Sequence, residues 1–313
     1  MIVFWLKLLI TAALVAYLLS RIDVGSVLRQ VRRIDPALAM LALLVMLFQL
    51  GLVSLRWQLV NHLVDVRTRI GQTFRLTFIG QFFNQVLPSG VGGDVMRAWL
   101  VSRDGVALGR AITGVLCDRA VALVVLLLII AGTFFLLPAF VSAKIPAIES
   151  LRIVAVAGVA SIGALFFFGV PVSRILMRYP ITESIGKLIR DLRKVLYSPA
   201  VSPLVMILAA AIQFLLVATI SLCAKGMNIQ FEFGAALMVV PTIMLISMIP
   251  ISFAGWGLRE TTMILGLGVV GISPPDALAV SVAFGLSHLI VGLPGGVLWL
   301  MRSDAVRMAG RPK

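Results

Sequence analysis

Runs of about twenty apolar residues recur along this chain, and each is long enough to cross roughly 30 Å of hydrocarbon as a helix. They lie at about 2–20, 37–60, 112–137, 152–177, 203–225 and 277–301. Sixty per cent of the residues are hydrophobic, 13% are charged, and the mean hydropathy is +1.08. Those values lie outside the range of soluble domains. No stretch is long and polar enough for a separate soluble domain, so residues 1–313 read as one integral membrane domain. The first run has no evident small-residue cleavage site before Arg21, and we read it as a retained helix rather than a signal peptide.

Two further apolar regions are interrupted. Pieces at about 72–87 and 93–102 flank Pro88-Ser89-Gly90-Val91-Gly92-Gly93, and pieces at about 235–249 and 257–270 flank Pro250 through Gly257. Each piece is too short to span comfortably, and two half-length helices joined at a tip describe a re-entrant hairpin. Each interruption carries Pro, then Gly, then Arg in the same spacing: 88, 93, 97 and 250, 255, 259. The expected fold is therefore all-α and polytopic, with about six full spans and two re-entrant helical hairpins. Segments 37–137 and 203–301 form the two half-repeats, and by topology they are inverted.

Charge sets the orientation. With a cytoplasmic N-terminus, the segments 56–75, 97–119, 174–194 and the tail from 302 lie inside and hold 18 Lys or Arg, against seven in the outer segments. The net charge of +14 thus follows topology, and nucleic acid is not implied. Both termini are expected in the cytoplasm of a bacterial-type inner membrane. Four arginines between 21 and 33 fall on the outer side and alternate with apolar residues at helical spacing, as in an interfacial amphipathic helix. Residues 178–199 form a second, basic amphipathic segment suited to the anionic cytoplasmic leaflet or to a docked partner enzyme. Cys117 and Cys223 lie within spans and offer neither a disulfide framework nor a metal spacing.

A set of ordered motifs runs along the chain: Arg56-Trp57, Asn84-Gln85-Val86-Leu87-Pro88, Gly92-Gly93-Asp94 with Arg97, Asp118-Arg119, and Pro250 with Ser252, Gly255, Gly257, Arg259 and Glu260. Together they resemble the lysylphosphatidylglycerol synthase transmembrane region family, and the resemblance covers essentially the whole chain. It implies a flippase-like membrane domain. In the best-understood relatives a separate soluble half performs aminoacyl transfer; no such half is expected here, and synthase activity is not carried over. Relatives are also linked to hopanoids or glycolipid assembly, so the resemblance leaves the lipid open among phospholipid, aminoacyl-lipid and hopanoid or glycolipid.

Charges within spans are costly and usually functional. Arg97 and Arg259 are expected in the first turn of the second arm of each hairpin, where a cation opposes the helix dipole. An intramembrane phosphate would reverse that penalty, binding both arginines and the backbone N–H groups at Gly92, Gly93, Gly255 and Gly257. Asp94, Asp118, Arg119 and Glu260 are candidate headgroup-binding residues too, each with a structural alternative: Asp94 a cap, Glu260 a partner for an arginine, and Asp118 with Arg119 an ion pair. Asn84 reads equally as a cavity residue or an interhelical bond, and Ser252 as a donor to phosphate or to its own tip. Arg56 reads as a snorkelling side chain and Trp57 as an interfacial anchor. These seven charges, counted with Arg56, leave a surplus of +1, which one phosphodiester would balance.

The expected activity is movement of an amphiphilic, anionic or phosphate-bearing lipid between leaflets, through a midplane site between the hairpin tips. No cofactor is expected, and the partners are a membrane lipid and a lipid-synthesis enzyme. Two other classes stay open: a membrane enzyme of lipid or glycolipid modification, and a non-transporting accessory subunit of a lipid synthase.

Overall fold

The computed structural model describes residues 24–87, 91–136, 146–179, 182–249 and 257–309. The apolar run at 2–20, Pro88, and the second tip from Pro250 to Trp256, including Ser252 and Gly255, lie outside them. Among the described residues the regular structure is helical throughout. In chain order the helices are α1 (Val24–Arg32), α2 (Pro36–Leu63), α3 (Ile70–Val86), α4 (Gly92–Arg103), α5 (Leu108–Leu136) and α6 (Pro146–Leu176). There follow α7 (Glu183–Tyr197), α8 (Ser202–Gly226), α9 (Phe233–Ser247), α10 (Leu258–Val269) and α11 (Pro274–Ala309).

Four helices, α2, α5, α8 and α11, are long and apolar enough to cross a membrane. A fifth crossing is available if α6 counts as one span, for it bends by 60° between Val156–Ala164 and Phe167–Leu176. Pro171, which cannot donate a helix bond, lies within the second part. Start signals are local. Asp35 accepts the N–H groups of Ala37 (2.8 Å) and Leu38 at the head of α2, and Pro36 fills the position where a missing N–H costs nothing. The lipid-facing surfaces are apolar: Phe48 on α2, Phe168 on α6, Ile207 on α8 and Leu300 on α11 are all exposed.

The short pieces form two helical pairs. At a rise of about 1.5 Å per residue, α3 and α4 measure roughly 25 and 18 Å, and α9 and α10 roughly 22 and 18 Å, all short of a bilayer core. Arm α3 packs on α4, and α9 on α10. Contacts then pair off between the halves. Helix α2 meets α8; α4 lies on α5 as α10 lies on α11; α3 meets α11 as α9 meets α5. The last two interfaces are unequal. Gly292, Gly295 and Gly296 of α11 let α3 approach to backbone contact, and a Cβ at Gly295 would overlap the Phe78 carbonyl. The α5–α9 contact is lighter, with Leu126, Ile130 and Ala131 packed by Leu245.

Cross-helix bonds identify one end of the bundle. Arg302 of α11 pairs with Asp104 after α4, which also accepts Gln72 Nε2 of α3 at 2.6 Å. Arg110 of α5 reaches Asp191 of α7 at 3.1 Å, and Lys194 reaches Asp65 at 3.4 Å. This end carries Arg67, Arg69, Arg103, Lys187, Arg190 and Arg193 as well. At the other end, α1 is tied to the end of α8, where Gln30 Nε2 donates to the Met227 carbonyl at 3.1 Å and Asp35 N–H to that of Gly226 at 2.8 Å. Val27 of α1 is buried beside Ile272, so α1 packs by one face and keeps Arg29 and Arg32 outward.

The α3–α11 approach yields a stability prediction. Gly295→Val, which has no space against the Phe78 carbonyl, should shift the thermal unfolding of purified protein in detergent downward, by the equivalent of about 2–5 kcal/mol. Gly71→Ala, where a Cβ meets nothing within 4 Å, should stay within about 1 kcal/mol of wild type.

Candidate functional site

Five charged side chains from three helices meet under the first hairpin. Arg56 comes from α2, Asp94 and Arg97 from α4, and Asp118 and Arg119 from α5. Arg56 Nε donates to Asp118 Oδ1 at 2.9 Å. Arg97 spans the two carboxylates, with one terminal nitrogen 3.3 Å from Asp94 Oδ1 and the other 3.4 Å from Asp118 Oδ2. Arg119 closes the chain as a two-pronged pair on Asp94, at 2.6 and 3.0 Å. The order is Arg56–Asp118–Arg97–Asp94–Arg119, alternating in sign, with three cations and two anions and hence a net charge of +1.

Burial makes that surplus consequential. Asp118 is 1% exposed, Arg56 4% and Arg97 5%. Only the Arg119 side chain, 40% exposed, gives the network an open edge. Arg56 lies seven residues before the end of α2, and Asp118 ten residues into α5. By helical rise that puts them roughly 10 and 15 Å from those ends, inside two helices long and apolar enough to cross a membrane. Buried charges are tolerated when paired, and a cation left over in such a place is costly.

Arg97 is the least committed of the three cations. Both of its carboxylate contacts are long, and its Nε–H has no partner among the described residues. Its guanidinium stacks on the Trp57 ring at 3.9 Å from the centroid. The buried Trp57 Nε1–H also has no partner among the described residues. Two adjacent buried donors therefore accompany the surplus positive charge. The Arg97 stem reaches this position across Gly80 of α3, where a Cβ would stand 3.0 Å from its Cγ and Cδ.

The second hairpin builds a separate, smaller network. Glu260 accepts Arg259 Nε at 3.1 Å and Nη2 at 2.7 Å, the Gly257 N–H at 2.5 Å, and the hydroxyl of Ser281 of α11 at 3.3 Å. Gly257 has φ of +84°, which a side chain would strain. Glu260 thus closes the start of α10 from its third position, as a capping-box glutamate does. Across this hairpin Ser247 and Thr262 share a hydrogen bond of 3.0 Å.

Several expectations change on these geometries. Asp118 and Arg119 do not pair with each other, because consecutive helical residues point in different directions; they bind Arg56 with Arg97, and Asp94, respectively. Asp94 does not cap α4, since its oxygens are taken by Arg97 and Arg119. Arg56 does not snorkel and Trp57 is not an interfacial anchor; both are buried in the network. Arg97 sits in the second turn of α4, whereas Arg259 is the second residue of α10. The constant spacing of the two arginines therefore does not match the helix starts, and the residues at equivalent helical positions are Asp94 and Glu260. Two of the tip N–H groups assigned to an anion are engaged internally: Gly93 donates to Asn84 Oδ1 at 2.8 Å, and Gly257 to Glu260. Asn84 is thereby an interhelical bond across the hairpin. Gly92 packs directly on Leu87, which leaves no room there for a Cβ. Arg56 and Trp57 are the site residues that reading by position underestimated; their place at the end of an apolar run points equally to an interface, and their place among the ordered motifs assigns them no role.

Compared with known protein families, residues 4–296 match the model described as the lysylphosphatidylglycerol synthase TM region. No curated protein matches the chain.

Asp118 holds two cations, so the network predicts an asymmetric cost. Asp118→Asn should destabilise the protein by about 3–5 kcal/mol, read as a thermal shift in detergent, because Arg56 is left buried without its carboxylate. Arg56→Met combined with Asp118→Leu should recover at least half of that loss, and equal losses for the single and double variants would contradict the pairing.

Proposed function

The chain belongs to the lysylphosphatidylglycerol synthase transmembrane region family, a multi-pass membrane domain of lipid-related function, and from that premise we propose that it carries an anionic lipid headgroup between leaflets. The observation behind this reading is the buried network with its net charge of +1 and its two unpartnered donors, Arg97 Nε–H and Trp57 Nε1–H. A phosphodiester monoanion supplies what that site lacks: one negative charge and oxygen acceptors for donors already desolvated. Arg119, on the open edge, meets the headgroup first. Arg97, loosely held by both carboxylates, then exchanges a long carboxylate contact for the phosphate. Asp94 and Asp118 keep the three arginines close together when no lipid is bound. Acyl chains stay in the bilayer throughout.

We propose a carrier, not an enzyme: the side chains bind and release an ion and no covalent step is assigned to them. Movement follows the matched contacts. Units α2–α5 and α8–α11 act as inverted half-repeats, and the basic end of the bundle faces the cytoplasm of an inner membrane. The α3–α11 interface is tightly closed and the α5–α9 interface is lighter. Loosening the first while tightening the second exchanges one access direction for the other.

Two measurements test this. In liposomes of neutral lipid with a trace of headgroup-labelled phosphatidylglycerol, the protein should speed loss of label protection from a membrane-impermeant quencher. Arg97→Gln should slow that rate by about tenfold or more, the loss of one charge-assisted contact. Rates equal to empty liposomes under every imposed gradient would refute the reading. The rocking step is tested by Phe82→Cys with Gly292→Cys, since a Cβ at Gly292 lies 3.5 Å from the Phe82 Cα, close enough for a bridge. Oxidation should stop transport and reduction restore it; undiminished transport by the bridged protein would rule out movement at this interface.

A further inference from the structure

Helix α7 is docked by its apolar face and by one buried acid. Val195 packs into the core around Trp57 and Val60, and Asp191 receives Arg110 at 3.1 Å. Toward its C-terminal end the helix presents one cluster, Arg190, Arg193, Lys194 and Tyr197 with Ser198 just beyond, at helical spacing. These residues line an open groove of about 440 Å³. A second groove of about 270 Å³ adjoins it, sharing Tyr197 and Ser198 and continuing over Leu196, Pro199, Pro203 and Met206. One half of the combined groove is cationic and the other is largely apolar.

Arg193 is fixed in place rather than loosely solvated. Its stem crosses α6 at Gly169, where a Cβ would stand 2.7 Å from its Cδ and 3.2 Å from Nη1. Its guanidinium lies over the Tyr197 ring at 5.3 Å. Among the described residues Lys194 is held only by an exposed contact to Asp65, and Arg190 only by a 3.5 Å contact to Asp191, which Arg110 already engages. Exposed pairs of this kind give way readily to a better anion. The apolar half leads onto the lipid-facing flank of α8, where Leu204 and Ile207 are exposed. That flank is where an acyl chain would lie if the headgroup sat against the basic stripe.

We propose that this composite groove is an anionic phospholipid site at the membrane interface, separate from the buried network and independent of whether the protein transports lipid. The phosphate is held by Arg190, Arg193 and Lys194, and one acyl chain runs over Pro203 and Met206 onto α8. The adjoining basic and apolar halves favour a lipid over an acidic protein, which would match only the first.

The test uses the full chain carrying Ser198→Cys labelled with a small fluorophore, the native Cys117 and Cys223 being buried. It is placed in nanodiscs of phosphatidylcholine doped with phosphatidylglycerol or phosphatidylcholine brominated on the acyl chain. Brominated phosphatidylglycerol should reach half-quenching at a mole fraction at least about fivefold lower than brominated phosphatidylcholine. Arg190→Gln, Arg193→Gln and Lys194→Gln together should equalise the two lipids. Lys187→Gln, on the same helix but outside the groove, and Arg97→Gln, in the network, should leave the preference intact. Equal quenching by both lipids in the wild-type groove overturns the proposal, as does a preference that survives the triple substitution. Displacement of the fluorophore signal by polyglutamate but not by phosphatidylglycerol overturns it in favour of an acidic partner.

Discussion

Arg97 holds the first half of this protein together because, among the described residues, it is the one side chain that touches both carboxylates of the buried network. Asp94 stands on its own helix, one turn away, and Asp118 on the next. Through them it connects α4 to α5, and through Asp118 and Trp57 it connects both to α2. The apolar packing around it accommodates that link: Gly80 leaves room for its stem, and Gly93 for the turn of α4 against α3. In a hydrocarbon environment a charge in this position is stable only while its partners are held in place. The surrounding helices therefore fix the ion network, and the ion network in turn fixes the tilt of the short arm. On the function we propose, its surplus charge adds a preference for anions to this structural role.

The two hairpins use the same kind of element for different ends. In each, an acid at the third position of the short arm binds an arginine of the same arm. In the second, Glu260 also takes the N–H of Gly257 and the Ser281 hydroxyl, so that its oxygens are spent on closing the helix start. In the first, Asp94 takes two arginines and no helix N–H, and the pairing spreads to Asp118 and Arg56. The polar weight of the described residues is thus shifted toward one hairpin, although the helix contacts pair off between halves. In the transport we propose, such an imbalance lets one half meet the ligand's charge while both halves move.

Element lengths were legible in the sequence because bilayer thickness imposes them: α2, α8 and the short arms α3, α4, α9 and α10 begin and end within a few residues of where hydropathy and the Pro/Gly breaks put them. Charge partners were not legible. Asp118 and Arg119 are neighbours in the chain, yet the helix turns them toward different partners, α2 with α4 and α4 alone. Arg56 and Trp57 sit where an interface residue would, and only the packing of α2 against α3 and α5, with Arg97 of α4 laid over Trp57, reveals them as buried. The equal spacing of Arg97 and Arg259 concealed a shift in where each arm begins, so that the acids rather than the arginines occupy matching helical positions. The family resemblance drew on the same motifs, and the match over residues 4–296 agrees with it.

On the function we propose, the buried network accepts a single monoanionic headgroup. This is tested most directly by calorimetric titration of short-chain phosphatidylglycerol into purified protein in a non-ionic detergent, with the three basic side chains of the α7 groove already replaced by glutamine. The expected result is one saturable site per chain, absent for phosphatidylcholine of the same chain length and abolished by Arg97→Gln. Equal binding of the two lipids, or phosphatidylglycerol binding that Arg97→Gln leaves unchanged, would contradict it.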